Sequence, residues 1–489
     1  MTPTGRAIAK LPAHLRRFVV AQDYDAYTPR DQAVWRHILR RLTNHLRDKA
    51  HPVYLAGLEA TGIGTERIPS LDEMNEKLEA LGWCAVAVRG FLPPAVFTEL
   101  QTLKVLAIAE DIRDHSHIAY TPAPDIVHES AGHAPILANA RYAEYVQRCG
   151  QVGFKAIASI EDQEVFEAIR NLSVVKEDPT ASPEAVRAAE ARLQAAGEAK
   201  RFTSENTKAS RLYWWTAEYG LIGDLSAPKI YGAGLLSSIG EAEHCLTEAV
   251  KKLPLSLACV DTEYDITTMQ PQLFVARDFD HLFEVLDAFE ATLAWKRGGD
   301  FGLEQALEAR TVNHLVLSDG TEVTGVVTRL ERAEREHAPG LRTVAAHLRG
   351  PLLVSKNGVA LGAPIEGDAV VLFGDAHLHE VRRPASGLVF TSATLPSVAG
   401  GPADPEAWDA AFGAFNAFTT GDAEARARAA KAEALAPEIA AHYLDLRRQR
   451  ESGRLDATRL DRVAAAVAAH PEEWLLREEL EEIQAPARI

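Results

Sequence analysis

Residues 120–133 read YTPAPDIVHESAGH, and this segment is the most informative in the chain. Its two histidines, His128 and His133, are five residues apart, whereas zinc proteases place theirs four apart on one helix face. On a regular helix, a spacing of five turns the side chains roughly 140° away from each other. Gly132 and Pro135 disfavour a regular helix here, so the imidazoles can converge only on a distorted turn. Paired neutral imidazoles suit iron, zinc or copper, although an isolated pair at this spacing is more often two unrelated surface histidines.

A second segment, LYWWTAEYGL at 212–221, places Glu218 inside an aromatic and otherwise apolar helix. Glutamate is almost never fully buried without a partner, so this carboxylate needs a cation nearby. Taken alone, the pattern more often reflects a core helix whose glutamate reaches the surface or an arginine. Two histidines and one carboxylate together make the facial triad of non-haem Fe(II) oxygenases, which leaves coordination positions open for dioxygen.

A third segment, KIYGAGLLSSIGE at 229–241, combines glycines typical of tight backbone with side chains that can form hydrogen bonds. Alone it is a weak signal, because a turn packed in the core explains it equally well. It gains meaning from its position, since it follows the other two segments along the chain.

Together the three segments resemble the pterin-dependent aromatic amino acid hydroxylases, which show YTPEPD-x-x-HE-x-x-GH, YWF-T-x-EFG and YGAGLLSS-x-GE in this order. The resemblance covers roughly residues 11–290, including LPAHLRRFV near the start and MQPQLFVARDF at 269–279. It implies a mainly α catalytic domain with few short strands, an Fe(II) cofactor and a tetrahydropterin (tetrahydrobiopterin or a related one). The implied activity is a monooxygenase that hydroxylates the ring of a free aromatic amino acid with O2, and phenylalanine to tyrosine is the first expectation.

The resemblance also implies a role for each matching residue. The catalytic metal ligands are His128, His133 and Glu218. The substrate-binding residues are Arg113, Thr121, Pro124, Asp125, Trp214, Tyr219 and Ser237. The cofactor-binding residues are Gly90, Leu92, Phe97 and Glu129. The residues expected to orient the metal ligands without binding the metal are Tyr213, Ser238 and Glu241. Arg113 is expected to hold the carboxylate of the amino acid, a task that suits a bidentate guanidinium.

Three departures from the family pattern concern the substrate and the cofactor. Tyr219 stands where phenylalanine is usual, and its hydroxyl lies near the expected ring pocket. Ala123 replaces a glutamate and removes one charge on the pterin side. Pro93-Pro94 stiffens the pterin loop and removes two N–H donors.

The chain is predicted to have three parts: a catalytic domain at 1–300, a small β-rich domain at 301–397 and a helical C-terminal region at 398–489. The interval from His128 to Glu218 is 90 residues, about twice the family's usual length, which indicates an insertion near 173–207. Beyond residue 312 the apolar period switches to two, and Asp319-Gly320 and Asn357-Gly358 are hairpin turn signals. The tail is rich in Ala, Glu and Arg and predicts three or four amphipathic helices.

Local patterns predict three further helices. Ser182-Pro183 resembles an N-cap followed by proline at the first helical position, which predicts a solvated helix inside the insertion. Ser70 and Glu73 have the spacing of a capping box. The segment 96–112 has apolar residues at helical spacing throughout, so one helix is expected over its whole length.

Composition excludes some classes of protein. The 489 residues contain 69 acidic and 52 basic side chains, a formal net charge of −17, which argues against nucleic-acid or anionic membrane surfaces as partners. No run of 18 apolar residues occurs, and residues 1–10 lack the apolar core of a signal peptide. The four cysteines have no paired spacing, which indicates a reducing cytoplasm. The expected partners are the amino acid, O2 and, as a possibility, further copies of the chain in a homo-oligomer.

Alternatives to phenylalanine hydroxylation stay open at the level of sequence. Trp215 and Tyr219 alter the surroundings of the ring pocket, which allows tryptophan or another ring position as the target. A hypothesis from a different class of function is that the chain is a non-catalytic metal-binding interaction protein, which keeps the fold and binds partners through its C-terminal parts. A zinc hydrolase is disfavoured by the histidine spacing.

Overall fold

The structure is a computed structural model, and it describes residues 1–118, 125–178, 180–266, 268–334, 340–377, 381, 387–413 and 435–485. Helices dominate the first 300 residues, as the sequence predicts, and occur again near the C-terminus. In chain order they are α1 (Pro3–Lys10), α2 (Ala13–Arg16), α3 (Pro29–His45), α4 (Val53–Ala60), α5 (Leu71–Leu78), α6 (Pro94–Thr102), α7 (Ala140–Lys155), α8 (Ile160–Glu177), α9 (Pro183–Glu198), α10 (Glu205–Tyr213), α11 (Ala233–Ser237), α12 (Ile239–His244), α13 (Phe279–Glu290), α14 (Ala294–Arg297), α15 (Gly299–Ala309), α16 (Pro405–Phe412), α17 (Pro437–Ser452), α18 (Ala457–Ala469) and α19 (Trp474–Gln484).

Strands form sheets of three, four and seven members in the described part of the chain. They are β1 (Val19–Val20), β2 (Cys84–Val88), β3 (Val105–Ala109), β4 (Leu221–Ile222), β5 (Lys229–Ile230), β6 (Lys251–Pro254), β7 (Gln272–Ala276), β8 (Val312–Val316), β9 (Thr321–Glu334), β10 (Leu341–Lys356), β11 (Val359–Ala360), β12 (Ala369–Phe373), β13 (Leu388–Ser392) and β14 (Ser397–Gly400). The two smaller sheets have the orders β1-β2-β3 and β5-β4-β7-β6 and lie within the helical region.

The expected helix over 96–112 is wrong beyond Thr102. There α6 ends, Lys104 adopts a left-handed φ of 60°, and β3 pairs in parallel with β2. All five residues of β3 are buried. A continuous apolar run of this length fits a strand covered on both faces as well as a helix, so periodicity alone does not separate the two.

The two other local helix predictions hold at their starting points. At α9, the Ser182 hydroxyl accepts from the Ala185 N–H, and Pro183 occupies the first turn. At α5, Ser70 is the N-cap residue, but its side chain makes no capping hydrogen bond. The Glu73 carboxylate does accept from the Ser70 backbone, so half of the capping box forms.

The seven-stranded sheet has the order β13-β12-β10-β9-β8-β14, with β11 paired to β10. Both hairpin signals lie at turns of this sheet, and the second has left-handed φ values of 52° at Asn357 and 74° at Gly358, as the favoured two-residue turn requires. One face of the sheet packs on α14 and α15, so its hydrophobic core contains Ala294 and Leu303 together with strand residues such as Val323.

The C-terminal helices α17 and α19 pack against α3, and α18 packs against both of them. Their buried apolar side chains, including Tyr443 and Leu476, belong to the same hydrophobic core as the helices of the first 300 residues. A buried ion pair joins Arg36 of α3 to Glu479 of α19. In the part of the chain described, no helix combines the length and the apolar character needed to cross a bilayer.

Candidate metal and substrate site

Two wide helical turns carry the predicted metal ligands. His128 and His133 lie on the π-type turn Val127–His133, and Glu218 ends a second one, Trp214–Glu218. A π-turn forms its hydrogen bonds between residues five apart, so it brings side chains at that spacing to one side. This backbone distortion explains how histidines that diverge on a regular helix point to a common centre.

The three donor groups meet at distances that suit a metal. Nε2 of His128 lies 3.2 Å from Nε2 of His133. The two carboxylate oxygens of Glu218 each lie 3.1 Å from one of these nitrogens. Ligands about 2.2 Å from a shared ion and at right angles to one another lie about 3.1 Å apart. The set therefore fits one metal ion in a facial arrangement, and it is the group of three metal-binding side chains found among the described residues.

The electrostatics of the site favour an ionised Glu218. Burial alone would raise the pKa of this carboxyl, but His133 and His128 outweigh it and hold the pKa well below its usual range. A carboxylate and two imidazoles bring one negative charge to the centre, which suits a divalent cation better than a monovalent one.

Ser237 orients the first of the two imidazoles. Its hydroxyl donates to the carbonyl oxygen of Ala233 at 2.7 Å and lies 3.1 Å from Nδ1 of His128. Because the hydroxyl hydrogen is already used, the serine oxygen is the acceptor and Nδ1 carries the hydrogen. Nε2 of His128 then keeps its lone pair for a metal.

Arg113 is buried and engaged within the chain. Its Nε and Nη2 donate to the two oxygens of Asp125 at 2.8 Å, and its Nη1 donates to the Ser237 carbonyl at 3.0 Å. Asp125 also accepts from the backbone N–H of His128. Burial would raise the pKa of Asp125, but the Arg113 guanidinium lowers it below its ordinary value. The bidentate edge of Arg113 is therefore occupied by Asp125.

Two glycines allow the third sequence segment to approach the ligand turns. A Cβ on Gly132 would lie 2.6 Å from the carbonyl oxygen of Ala233. A Cβ on Gly232 would lie 2.5 Å from the carbonyl oxygen of Glu218. Any side chain at either position would push α11 away from the ligands, because both clashes are with backbone.

Aromatic rings lie beside Glu218. Trp214 stacks on Tyr219 with ring centroids 4.4 Å apart, and also on Tyr264 at 4.2 Å. Burial raises the pKa of Tyr264 to about 12, and the Glu218 carboxylate adds to the shift. The stack forms an aromatic wall next to the metal ligands, and the Tyr264 phenol stays uncharged.

A cavity opens on the side of His133, and Phe97, Glu129 and Tyr213 line it. The rings of Phe97 and Tyr213 meet edge to face at 5.6 Å, and the Tyr213 ring lies nearly parallel to that of His133 at 6.3 Å. Burial raises the pKa of Glu129 to about 8, with repulsion from Glu218 adding to the shift. The cavity therefore combines apolar and polar side chains, and the carboxyl of Glu129 can donate a hydrogen bond when protonated.

The remaining predicted site residues that the structure describes are Gly90, Leu92, Ser238 and Glu241. Gly90 has a left-handed φ of 64°, and Leu92 packs on the core beneath β2. The Ser238 hydroxyl accepts from the Glu241 N–H at 3.4 Å. Burial raises the pKa of Glu241 to about 7. Thr121 and Pro124 lie outside the described residues.

Sequence reasoning overlooked two side chains at this site. Tyr264 completes the stack on Trp214, but it follows a stretch with no motif and carries no signal. Gln101 lines the cavity and donates to the Tyr213 hydroxyl at 2.6 Å. It did leave a signal, since it is a polar residue one turn after Phe97 on the buried face of a helix.

Comparison with known proteins identifies the family of this chain. The family model described as biopterin-dependent aromatic amino acid hydroxylase matches residues 20–172 and 190–332. The match thus spans more than half of the chain, and its interruption lies within the segment predicted to be an insertion.

Curated relatives are similar over the same region. The phenylalanine-4-hydroxylase of Mesorhizobium japonicum is 31% identical over 302 residues, which are 60% of this chain and 91% of the relative. The phenylalanine-4-hydroxylase of Chromobacterium violaceum is 29% identical over 55% of this chain and 76% of the relative. A crystal structure of the Chromobacterium violaceum phenylalanine hydroxylase with iron(III) and 7,8-dihydrobiopterin covers 59% of this chain and 90% of its own, at 28% identity and a TM-score of 0.45.

Proposed function

The chain belongs to the biopterin-dependent aromatic amino acid hydroxylases, and from this membership we propose that it hydroxylates the ring of phenylalanine to give tyrosine. It is a pterin-dependent aromatic amino acid monooxygenase that uses iron, a tetrahydropterin and O2. The observation that carries the proposal is the spacing of the three donors His128, His133 and Glu218, which matches a facial metal site at the centre of the family's motifs.

The residues present fit both cofactors. His128, His133 and Glu218 would hold the iron, and Phe97 and Glu129, which lie near each other beside His133, would contact the pterin. Gly90 and Leu92 would belong to the loop over that cofactor. Iron and tetrahydropterin together supply the activation of dioxygen. The contribution of the chain would be to hold the two side by side and to leave the remaining metal positions to small ligands.

Arg113 and Asp125 would act as one unit towards the amino acid. Three of the five guanidinium N–H groups have acceptors in Asp125 and the Ser237 carbonyl. The two that are left can donate to the carboxylate of the substrate. Asp125 therefore supports the proposal as the group that orients Arg113, and the Ser237 carbonyl as a second one.

The aromatic wall supports an aromatic side chain as the reacting group. Trp214 and Tyr219 are stacked beside Glu218, so a substrate ring packed on them lies close to the metal centre. Ring-to-ring packing prefers offset or edge-on contact. Burial of these rings also limits access of water to the centre.

Several wider predictions remain proposals. The four free cysteines support a reducing compartment such as the cytoplasm. The three-part division at 300 and 397 and a homo-oligomeric state also stay predictions. The described part of the tail, 398–413 and 435–485, lends no support to oligomerisation, because the buried apolar residues of its last three helices pack within the same chain.

One assay tests the proposed function. The purified chain is supplied with Fe(II), tetrahydrobiopterin and O2, together with phenylalanine, tyrosine or tryptophan in separate reactions, and the hydroxylated products are quantified. We expect tyrosine from phenylalanine, with one pterin oxidised for each product formed. If iron-loaded protein yields no product from any of the three amino acids, the proposed hydroxylase activity is refuted. A product from tryptophan alone would mean that tryptophan, and not phenylalanine, is the substrate.

The Arg113→Lys variant tests the carboxylate role. A lysine keeps the charge but loses the planar fork, so Asp125 and the substrate compete for one ammonium. We expect the KM for phenylalanine to rise by about tenfold or more, with a smaller change in kcat. Arg41→Lys, at an exposed ion pair with Glu243, serves as the control. An unchanged KM in the Arg113 variant would contradict the role.

A further inference from the structure

Arg89 and Glu110 form an ion pair just beyond the ends of two neighbouring strands. The strands β2 and β3 are parallel and pair as far as Val88 and Ala109, so the next residue of each lies at the same edge of the sheet. Nε of Arg89 donates to Oε1 of Glu110 at 2.5 Å, and Nη2 contacts the same oxygen. The Glu110 side chain is 0% exposed and the Arg89 side chain 26%. In open parallel sheets, ligands bind beyond this edge.

The alternation of side chains along β2 and β3 shows which face of the sheet carries this pair. Every second side chain of the two strands belongs to the main hydrophobic core: Ala85, Ala87, Leu106 and Ile108. Positions 89 and 110 are the next ones in this alternation. Val127, the first residue of the metal-ligand turn, belongs to the same core. The ion pair therefore lies on the side of the sheet where the metal-ligand turn packs.

The backbone of the segment 110–113 is anchored on several sides. The N–H of Glu110 donates to the Val88 carbonyl at 3.0 Å, and its carbonyl oxygen accepts from the Tyr27 hydroxyl at 2.5 Å. The carbonyl oxygen of Asp111 accepts from the N–H of Ile126 at 2.8 Å. Ile126 directly precedes the metal-ligand turn, and the segment ends at Arg113. The carboxylate of Glu110 is thus fixed relative to both the metal site and the expected amino acid site.

The loop 89–93 is anchored differently at its two ends. At its far end, Pro93 precedes α6, and its carbonyl oxygen accepts from the N–H of Phe97 at 3.0 Å. Pro93 and Pro94 restrict the backbone there. At its near end, Gly90 adopts a left-handed φ of 64°, and glycine imposes few restrictions of its own. The ion pair of Arg89 with Glu110 is the contact that ties this near end to the segment 110–113.

Stability alone does not account for a buried ion pair at this position. Removal of two charges from water costs free energy, and replacement of such a pair by apolar side chains is often neutral or stabilising. A charged hydrogen bond nevertheless gives a fixed direction and distance, which an apolar contact does not. The pair is therefore better explained by the geometry it imposes on the loop.

We propose that Arg89 is a positioning residue for the pterin. Its ion pair with Glu110 holds the loop 89–93 in a fixed place relative to the segment 110–113, so that the cofactor and the amino acid are presented together to the metal. The inference rests on the proposed function, because that function assigns the loop to the pterin. Arg89 acts through the backbone of the loop and needs no contact with the cofactor.

A set of variants separates positioning from stability. Arg89→Met breaks the pair, and the double variant Arg89→Met with Glu110→Leu replaces it by an apolar contact. Arg89→Lys keeps the charge, and it also serves if Arg89→Met does not fold. Binding of 7,8-dihydrobiopterin to the iron-loaded protein is measured by calorimetry without turnover, and urea unfolding is measured on the same proteins. The KM values for tetrahydrobiopterin and phenylalanine are measured during turnover.

We expect Arg89→Met to weaken dihydrobiopterin binding about five- to tenfold and to raise the KM for tetrahydrobiopterin by a similar factor. The KM for phenylalanine should change by less than about twofold, because Arg113 keeps its bonds to Asp125. Arg89→Lys should bind dihydrobiopterin within about threefold of the unmodified chain, since the single oxygen that Arg89 contacts is also within reach of an ammonium.

The apolar double variant gives the sharpest contrast. Its resistance to urea should recover relative to Arg89→Met, because no buried carboxylate is left unpaired. Its binding of dihydrobiopterin should stay as weak as in Arg89→Met, because an apolar contact does not fix the loop. Arg148→Met is the control, since it breaks an ion pair of similar exposure, with Glu290 at 2.6 Å, between α7 and α13. This control is expected to leave dihydrobiopterin binding unchanged.

Two results would overturn the inference. One is an Arg89→Met protein that binds dihydrobiopterin as the unmodified chain does. The other is a double variant whose dihydrobiopterin binding recovers together with its stability, which would mean that the pair only supports the fold. Failure of the proposed function looks different: the unmodified chain would bind dihydrobiopterin without producing tyrosine, and the binding measurements would still decide the role of Arg89. An unmodified chain that does not bind dihydrobiopterin would overturn both.

Discussion

Two buried carboxylates, Glu218 and Glu479, meet opposite kinds of partner. Glu218 faces two imidazoles at 3.1 Å each, and its side chain is 13% exposed. Glu479 faces the guanidinium of Arg36 through both of its oxygens, with Arg450 3.5 Å away, and its side chain is 2% exposed. Both are far from bulk water, and both need positive charge nearby.

The difference lies in whether the partners leave room for a ligand. Guanidinium groups are permanently charged and satisfy a carboxylate completely, so the Arg36–Glu479 cluster is closed. Neutral imidazoles carry lone pairs, so the Glu218 cluster has one negative charge and donors that converge on an open point. A buried carboxylate is thus a candidate functional group when its neighbours are histidines. When its neighbours are arginines, it forms an ion pair that stabilises the packing of helices.

The largest expected effect follows from breaking the open cluster. Glu218→Ala removes the only charged ligand from the three donors. We expect bound iron to fall below about a tenth of its normal content and hydroxylation to drop by more than about 100-fold, since even changes behind a ligand can cost that much. Metal analysis and the phenylalanine assay measure the two quantities.

Glu479→Gln is the matched control, because it neutralises a buried carboxylate of the closed cluster. Its iron content per folded chain is expected to stay normal. Normal iron content and turnover in Glu218→Ala would disprove the ligand assignment.

The second effect concerns stability at the closed cluster. Arg36→Met leaves Glu479 buried beside only Arg450, and we expect the free energy of unfolding to fall by about 3–5 kcal/mol. The double variant Arg36→Met with Glu479→Leu should recover most of this loss, because no buried carboxylate is left unpaired and Arg450 keeps Glu482 as a partner at 3.4 Å. Urea unfolding measures both, and bound iron in the folded protein should not change.

An exposed ion pair provides the reference for this experiment. Arg41 and Glu243 lie at 2.9 Å with about half of each side chain exposed. Arg41→Met is expected to change the free energy of unfolding by less than about 1 kcal/mol. If Arg36→Met lowers the free energy of unfolding no more than Arg41→Met does, the ion pair between Arg36 and Glu479 does not stabilise the packing of α19 on α3.

The smallest effect uses a buried carboxylate with backbone partners. Glu205 is buried and accepts from the N–H groups of Ile157 and Ala294 at 3.1 and 2.6 Å. Burial raises its pKa from 4.5 to about 7, although those N–H groups and the cations Arg297 and Lys208 lower it. A raised pKa in the folded state means that stability is complete below pH 4.5 and is lost as the pH rises towards 7.

Glu205→Gln does not titrate, so it isolates this contribution. We expect the stability of the unmodified chain, relative to the variant, to decline by about 2–3 kcal/mol between pH 5 and pH 8. Urea unfolding at several pH values gives the difference. A difference that does not vary with pH would mean that Glu205 is ionised throughout.

The three candidate metal ligands were predicted from the sequence, but their convergence was not a consequence of spacing. His128 and His133 diverge on a regular helix, and only the motif resemblance related them to Glu218, 90 residues away. The wide turn that unites them depends on α11 packing against Gly132, which is a contact between distant segments. Local pattern also failed at 96–112, where pairing with β2 turned an expected helix end into β3.

Long-range partners account for the other surprises. Arg113 was expected to offer its fork to a substrate, yet Asp125 takes that fork because both side chains are buried together. Arg36 and Glu479 are 443 residues apart, and neither belongs to a motif. Gln101 showed a polar residue on an apolar face, but only the position of Tyr213 gave it a partner.

By itself, the sequence determined the family, the candidate metal donors, the hairpin turns and the helix starts at Ser70 and Ser182, because these depend on residue type and short spacing. The tertiary structure alone decided which donors meet, which edge of Arg113 is free and how the tail attaches to α3. Those outcomes depend on contacts between segments far apart in the chain. Their energies come from burial and charge pairing, which no local pattern encodes.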